Sequence, residues 1–287
     1  MIAAFEVEAD FVPEASFRRG SEDADCKAAN PACVRLWAMV PVLSLVLAIG
    51  LYRVEATAAE TEPLLAANED DWRAAARLSF GPSSYRTGFR ALWSQAGLYL
   101  RFDVADPDPW HTMTKRDQHL WEEEVVEIFL DLDGSGTNYA EIELSPANVV
   151  CDVRMVRAVP DKEGDLAFDL AGLQSRVVRR AETGWTGTMF VPWTGFRPLP
   201  SAANVSLPPK RGDRWRFNVY RIERPNGKKR PGEGAIFASW SPTGEDSFHV
   251  PQSFQIFEFA REPWKPSGPP AIPARRFDKV FHAPYSE

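Results

Sequence analysis

The chain has 287 residues, 44% of them hydrophobic, which is enough to bury a sizeable core in one domain. Its 40 Asp and Glu against 33 Lys and Arg give a net charge of −7, and no basic stripe interleaved with aromatics occurs, so a nucleic-acid surface is excluded. Three cysteines, two of them in the first 33 residues, exclude a disulfide scaffold.

Residues 1–33 are acidic, with seven Asp or Glu against three Lys or Arg. Leu36 to Tyr52 is then nearly continuous apolar sequence, and Ala56-Thr57-Ala58-Ala59-Glu60 follows with the small-x-small pattern of a signal peptidase site. The expectation is a leader cleaved near Ala58 or Ala59, giving a secreted or periplasmic protein. An acidic arm is the reverse of a positively charged leader start, so translation from Val34 is expected. The other reading of 36–52 is a membrane anchor, to which the charge of the preceding arm lends little support. Residues 1–59 are thus set apart, a domain is expected over 60–262, and 263–287 form a tail, with five prolines between Pro263 and Pro273.

Within the domain, Asp71 to Leu78 suits a short helix. Phe89–Trp93 and Leu98–Val104 flank Ser94–Gly97 as a hairpin. From Val125 the parity is clean: Val126, Ile128, Leu130 and Leu132 share an apolar face, while Glu127, Phe129 and Asp131 share the other. The chain turns at Asp-Gly-Ser-Gly and resumes at Tyr139, with Ala140, Ile142 and Leu144 apolar and Glu141 and Glu143 polar. A one-residue slip would put one apolar set on the wrong face, so only even sums of paired numbers survive. A turn centred on Ser135 sets Glu127 opposite Glu143 and Phe129 opposite Glu141, on the face expected to meet solvent.

Val149 to Arg157 alternates as another strand, with Cys151 on its apolar side as a buried, inert thiol. Leu173–Ala181 and Trp185–Trp193 flank Glu182-Thr183-Gly184 as a further hairpin. Arg214 to Ile222 alternates too, with Trp215, Phe217 and Val219 on one face and Arg216, Asn218 and Tyr220 on the other. Lys228-Lys229-Arg230 reads as a loop tip. Outside the leader no helical periodicity persists for twelve residues, and no repeat period is found.

The four His, at 111, 119, 249 and 282, lack metal-ligand spacing, and no nucleophile-elbow, Walker or Rossmann pattern occurs. Asp131-Leu132-Asp133-Gly134-Ser135-Gly136 is similar to the first half of a calcium loop, making Asp131 and Asp133 weak metal candidates. Position twelve would be Ile142 in place of a bidentate Glu, which favours a plain turn.

The order and spacing of several pieces resemble the family 9 carbohydrate-binding module. They are Asp106-Pro107 with Trp110, Arg116-Asp117, Leu120-Trp121-Glu122-Glu123, Val126 to Asp131 and Asn138-Tyr139, followed by Gly184-Trp185-Thr186, Val191-Pro192-Trp193 and Gly212 to Asn218. Arg221-Ile222-Glu223, Ser239-Trp240-Ser241-Pro242 and Phe248-His249-Val250-Pro251 complete the likeness over about residues 68 to 260. The resemblance implies an all-β fold, an antiparallel, jelly-roll-like β-sandwich, and non-catalytic binding of a mono-, oligo- or polysaccharide. In the family two Trp sandwich a terminal sugar, with a Glu and an Arg among the groups bonding its hydroxyls. Trp121 matches the first Trp and Glu127 the Glu; Phe248 stands where the second Trp is expected, and Glu143 at or near the Arg. Asn218 and His249, inside the matched motifs, complete the candidate ligand set.

The ten Trp are rich for a globular chain, and aromatic rings are common sugar platforms, yet Trp185, Trp193, Trp215 and Trp240 sit in apolar strand patterns and are expected in the core. Two further readings stay open. One is an interaction or scaffold domain that keeps the fold without the sugar. The other is a glycoside hydrolase, which needs two carboxyls about 5 to 9.5 Å apart across a bond, a role Glu127 and Glu143 would fill.

Overall fold

The computed structural model describes residues 50–180, 183–225, 227 and 234–263, all within the unit Ala48–Glu287. The acidic arm, nearly all of the apolar run, the Lys228 cluster and the tail beyond Pro263 lie outside the described residues. Among the described residues no helix is long and apolar enough to cross a membrane.

Thirteen strands form one curled, mixed sheet. In chain order they are β1 (Leu51–Ala56), β2 (Leu78–Phe80), β3 (Thr87–Trp93), β4 (Gly97–Ala105), β5 (Val125–Asp131), β6 (Tyr139–Leu144), β7 (Val150–Arg157), β8 (Glu163–Asp165), β9 (Gln174–Arg180), β10 (Gly184–Pro192), β11 (Arg214–Glu223), β12 (Ile236–Ser239) and β13 (Gln255–Pro263). The only α-helices among the described residues are α1 (Thr61–Leu65) and α2 (Trp193–Phe196). The strand order is β8-β7-β6-β5-β11-β13-β1-β3-β4-β10-β9, with β12 added to β11 and β2 to β3.

The expected hairpins are present. Phe89 pairs with Phe102 in β3–β4, and Trp185 with Arg179 in β9–β10. At the turn into β10, Gly184 has φ +123°, and a Cβ there would stand 1.9 Å from the Val104 carbonyl oxygen, so no other residue fits. In the β5–β6 hairpin Glu127 faces Glu143 and Phe129 faces Glu141, the register that parity and turn demanded.

Every ladder is antiparallel except those of β1, which runs parallel to both β13 and β3. The expected β-sandwich is present, and β1, which lies ahead of residue 60, adds two parallel pairings to it. β1 joins two half-sheets, β8 to β13 on one side and β3 to β9 on the other. Tyr52 shows what it contributes: its ring lies 5.6 Å from Phe89 of one half, and 5.7 and 5.8 Å from Phe217 and Phe257 of the other. Its hydroxyl accepts the Ala91 N–H and donates to the Ala76 carbonyl, both at 2.7 Å, so the buried polar group is satisfied.

The inner faces close on the main core, built from Val126, Ile128, Leu130, Ala140, Ile142, Trp215 and Phe217 of one half and Phe89, Leu100, Phe102, Trp185 and Met189 of the other. Trp185, Trp193 and Trp215 are buried here as expected, while Trp240 is half-buried and packs on the core's edge, 5.1 Å from Phe217. Asp71–Leu78 is not a helix: turns run through residues 69–74 and Leu78 opens β2. The reason is Trp72, which is fully buried in a cluster with Leu64, Leu65 and Tyr99 and donates its indole N–H to the Leu64 carbonyl at 3.0 Å. That anchor ties the segment to α1 across eight residues, while local backbone bonds such as Trp72 N–H to the Glu69 carbonyl keep it in successive turns.

Candidate functional site

The outer face of β5, β6, β7 and β11 carries Glu127, Glu143 and Asn218, and the turn and loop that bring Trp121, Phe248 and His249 pack against it. Pairing sets two rows across it, Tyr220–Glu127–Glu143–Cys151 and Asn218–Phe129–Glu141–Val153. This face was expected to meet solvent, and it does not. A second core covers it, in which Leu120, Val125, Phe129, Tyr139, Tyr220 and Phe254 are buried, with Trp121 and Phe248 packed half-buried at its margin.

Three carboxyls are therefore buried together. Glu127 is 2% exposed, Glu141 6% and Glu143 fully enclosed. Oε1 of Glu127 has no hydrogen-bond partner, while Glu141 and Glu143 share a side-chain hydrogen bond. Burial raises all three carboxyls' pKa, and each carboxyl's nearness to another adds to the rise for Glu127 and Glu143, which stand well above the ordinary range. Glu141 is raised to about 7, chiefly by burial, with its hydrogen bond to Glu143 and then the Lys162 ammonium opposing. Lys162 is exposed in the β7–β8 connection and counters the ionisation cost of all three.

His249 lies on the same face, its ring stacked 4.9 Å from Phe129. Burial, with Lys162 nearby, lowers its pKa to about 3, so the imidazole is neutral at pH 7. Lys162 Nζ is 3.4 Å from Nε2 and can only donate, so the ring proton sits on Nδ1 and is given to the Tyr139 hydroxyl oxygen at 2.9 Å. Asn218 is fully buried and its amide is spent on structure: Nδ2 donates to the Ser241 carbonyl at 2.7 Å, and Oδ1 accepts the Ser241 and Val219 N–H groups. Cys151 is a buried thiol whose pKa burial pushes up, in keeping with an inert role.

The two aromatic candidates share one arrangement. Trp121, in a 3-10 turn over Leu120–Glu122, stacks on His119 at 4.5 Å and 20°. Phe248, in the loop before β13, stacks on Tyr220 at 4.3 Å and 20°, and the Tyr220 hydroxyl donates to the Phe248 carbonyl at 3.0 Å. Each ring is thus backed on one face and half-exposed. Grooves lined by Arg197 to Leu207 and by Thr57 to Thr61 with Ser94 to Ala96 lie elsewhere and hold none of these groups.

The calcium candidates do not fit an ion. Asp131 accepts the Gly134 and Gly136 N–H groups, and Asp133 accepts the Ser135 N–H and the Asn204 amide, so both carboxylates serve the turn. Ile142, at the loop's twelfth position, is core. Among the described residues, the acidic groups compact enough for one ion are Asp106–Glu124–Glu223 and Asp117–Asp152–Asp169. Each is threaded by an arginine. Arg221 bonds Asp106 at 2.9 Å and also Glu223, and Arg116 bonds Asp152 and, at 3.0 Å, Asp169.

Sequence reasoning missed three groups at this face. Lys162 and Phe254 come from segments without periodicity, and Phe237 lies on a four-residue strand too short to read. The signal for Tyr139 and Tyr220 was available in their parity.

A family model described as carbohydrate family 9 binding domain-like matches residues 69–256. Among curated proteins, the chain is similar to the UPF0462 protein C4orf33 homolog of Rattus norvegicus, 33% identical over 125 residues, which are 43% of this chain and 51% of that protein. The match thus spans about half the length of that relative. Among solved structures, a carbohydrate-binding protein from Bacteroides uniformis aligns with a TM-score of 0.53 at 17% identity, over 73% of this chain and 97% of that one. A family 9 carbohydrate-binding module from Caldicellulosiruptor kristjanssonii, solved with glucose, aligns at 0.52 and 12% identity over 76% of this chain and 98% of the module. The same module solved with cellotriose gives 0.52 and 12% over 77% and 98%.

Proposed function

The chain belongs to the carbohydrate family 9 binding domain-like family, and we propose that it binds a saccharide without cleaving it, between Trp121 and Phe248 on the outer face of β5 and β11. The observation that carries this reading is the paired design of those rings. Each is half-exposed with one face backed by a second ring, Trp121 by His119 and Phe248 by Tyr220. An aromatic ring held rigidly with one free face suits the apolar face of a sugar. On the face these rings pack against lie the buried carboxyls of Glu127, Glu141 and Glu143, and Glu127 Oε1 has no hydrogen-bond partner among the described groups. An unmade bond at a buried polar group costs about 1 to 3 kcal/mol, and a sugar hydroxyl reaching Glu127 offsets it. The sugar complexes of the Caldicellulosiruptor module support the substrate class.

Hydrolysis is disfavoured by the same geometry. A retaining or inverting pair must reach both sides of a glycosidic bond, whereas Glu127 and Glu143 are buried side by side under the second core and held protonated by that burial. The scaffold reading draws on Phe248 in place of a Trp and Glu143 in place of an Arg.

The test is calorimetric titration of the chain against a panel of mono- and oligosaccharides, with Trp121→Ala and Phe248→Ala beside it. Binding in the native chain and a loss of at least tenfold in each variant support the clamp. Binding to cell-surface material that survives both substitutions establishes the scaffold reading instead.

Export remains part of the proposal, with the cut ahead of Gly50 and not at Ala58 or Ala59. What supports the earlier cut is that Tyr52 and Val54 are core residues. Amino-terminal sequencing of the native protein decides it; a mature chain starting at Ala59 or Glu60 refutes it.

A further inference from the structure

Phe237 is the one aromatic among the large hydrophobics exposed in the described residues, at 52%. Its position follows from strand alternation. On β12, Ala238 turns inward and packs on the main core, so Phe237 must turn out. Phe237 pairs with Ile222, which pairs with Val125, so all three lie on the face that carries Trp121, Glu127 and Phe248. The Phe237 ring stands 6.0 Å from Phe248 at 69°. It therefore touches Phe248 through an edge and leaves a face open to solvent. Phe129, Tyr220, Phe248 and Phe237 form a continuous run of rings, at 4.6, 4.3 and 6.0 Å, that starts fully buried and ends in water.

An exposed Phe on an edge strand loses the burial that would stabilise it, and nothing in β12 requires an aromatic there: its pairing is backbone, and its inward contact is Ala238. We propose that Phe237 is a second stacking platform, one ring-width along from Phe248, and that the ligand of this site is a saccharide chain of two or more units instead of a lone monosaccharide. This rests on the saccharide-binding reading above. In this arrangement the first sugar sits between Trp121 and Phe248, and the next unit lies over the open face of Phe237.

The test titrates the full chain with monosaccharide, disaccharide and trisaccharide of one linkage, in glucose, xylose and N-acetylglucosamine series. The comparison is among native protein, Phe237→Ala and Phe237→Trp. The native chain should bind the disaccharide on the order of three- to tenfold tighter than the monosaccharide, as one aromatic contact is worth. Phe237→Ala should erase that gain while leaving monosaccharide affinity unchanged, and Phe237→Trp should keep it. Affinity independent of chain length, or a loss in Phe237→Ala that is equal for one and two units, overturns the platform and leaves saccharide binding standing. A native chain that binds no member of any series overturns both.

Discussion

On β5, Val126, Ile128 and Leu130 face inward and Glu127, Phe129 and Asp131 face outward, and none of the six is more than 2% exposed. The inner set packs in the main core with apolar and aromatic side chains of both half-sheets. The outer set lies among carboxyls, a neutral imidazole and tyrosines, with Glu127 Oε1 left without a hydrogen bond. Burial is equal and chemistry is opposite. A face kept only for stability would be filled with hydrocarbon, because a buried polar group without a partner is a cost that selection removes unless it serves something.

The largest way to break the comparison is to remove β1. A chain starting at Glu60 lacks the strand that joins the half-sheets and loses Tyr52 and Val54 from the inner core. It should show no cooperative unfolding transition by circular dichroism, whereas a chain starting at Gly50 should unfold as one unit. Next comes a paired truncation of rings. Trp215→Ala empties the inner core beside Trp193, Phe196 and Phe259 and should cost about 3 to 5 kcal/mol in urea unfolding. Trp121→Ala, at a half-exposed turn, should cost no more than about 1 kcal/mol while binding is lost. An equal cost at the two positions would make Trp121 a core residue.

Acidity probes the outer face together with two other buried carboxyls, Glu124, which burial raises to about 9, and Asp152, which burial raises to about 6. Glu141 is raised from 4.5 to about 7, so between those values the folded chain holds more protons than the unfolded one and stability falls as pH rises. Full stabilisation is present below pH 4.5 as far as this group is concerned, and it is lost as pH passes 7. Glu127 and Glu143, raised further, continue the fall at higher pH. Glu141→Gln should flatten the slope between pH 5 and pH 8 and gain on the order of 1 to 3 kcal/mol at the upper end, read from denaturant midpoints. The smallest effect is expected at Phe237→Ala, whose stability should stay within about 0.5 kcal/mol of native, as for a surface position.

Much of the fold could be read from the chain itself because its rules are local. Parity put Val126, Ile128, Ala140 and Ile142 inside, and with the turn it aligned Glu127 with Glu143. The apolar strand settings of Trp185, Trp193 and Trp215 led to the core in the same way. The covering of the outer face was not legible. Alternating acids look identical whether water or another part of the chain lies over them, and here the cover comes from the Leu120 turn, the Phe248–Phe254 segment and Lys162, none of them periodic. Strand β1 was hidden for a related reason: Leu51–Ala56 continues an apolar run, and a leader and a buried strand share that composition. Only the parallel partners, brought from β13 and β3, tell them apart.

That partnership also sets the order in which the molecule can be assembled. The Gly50 carbonyl accepts the Ile256 N–H at 3.0 Å, and the Gly50 N–H reaches Gln255, 205 residues further on. As the chain is made from its amino end, β1 emerges first and waits for nearly the whole domain before its main partner exists. Local hairpins such as β3–β4 and β5–β6 can form while synthesis continues, but the two half-sheets close only when β13 arrives. Pairing at such sequence separation places the closing step among the slow ones for a domain of this size, and keeps the nascent chain open until the last strand is in place.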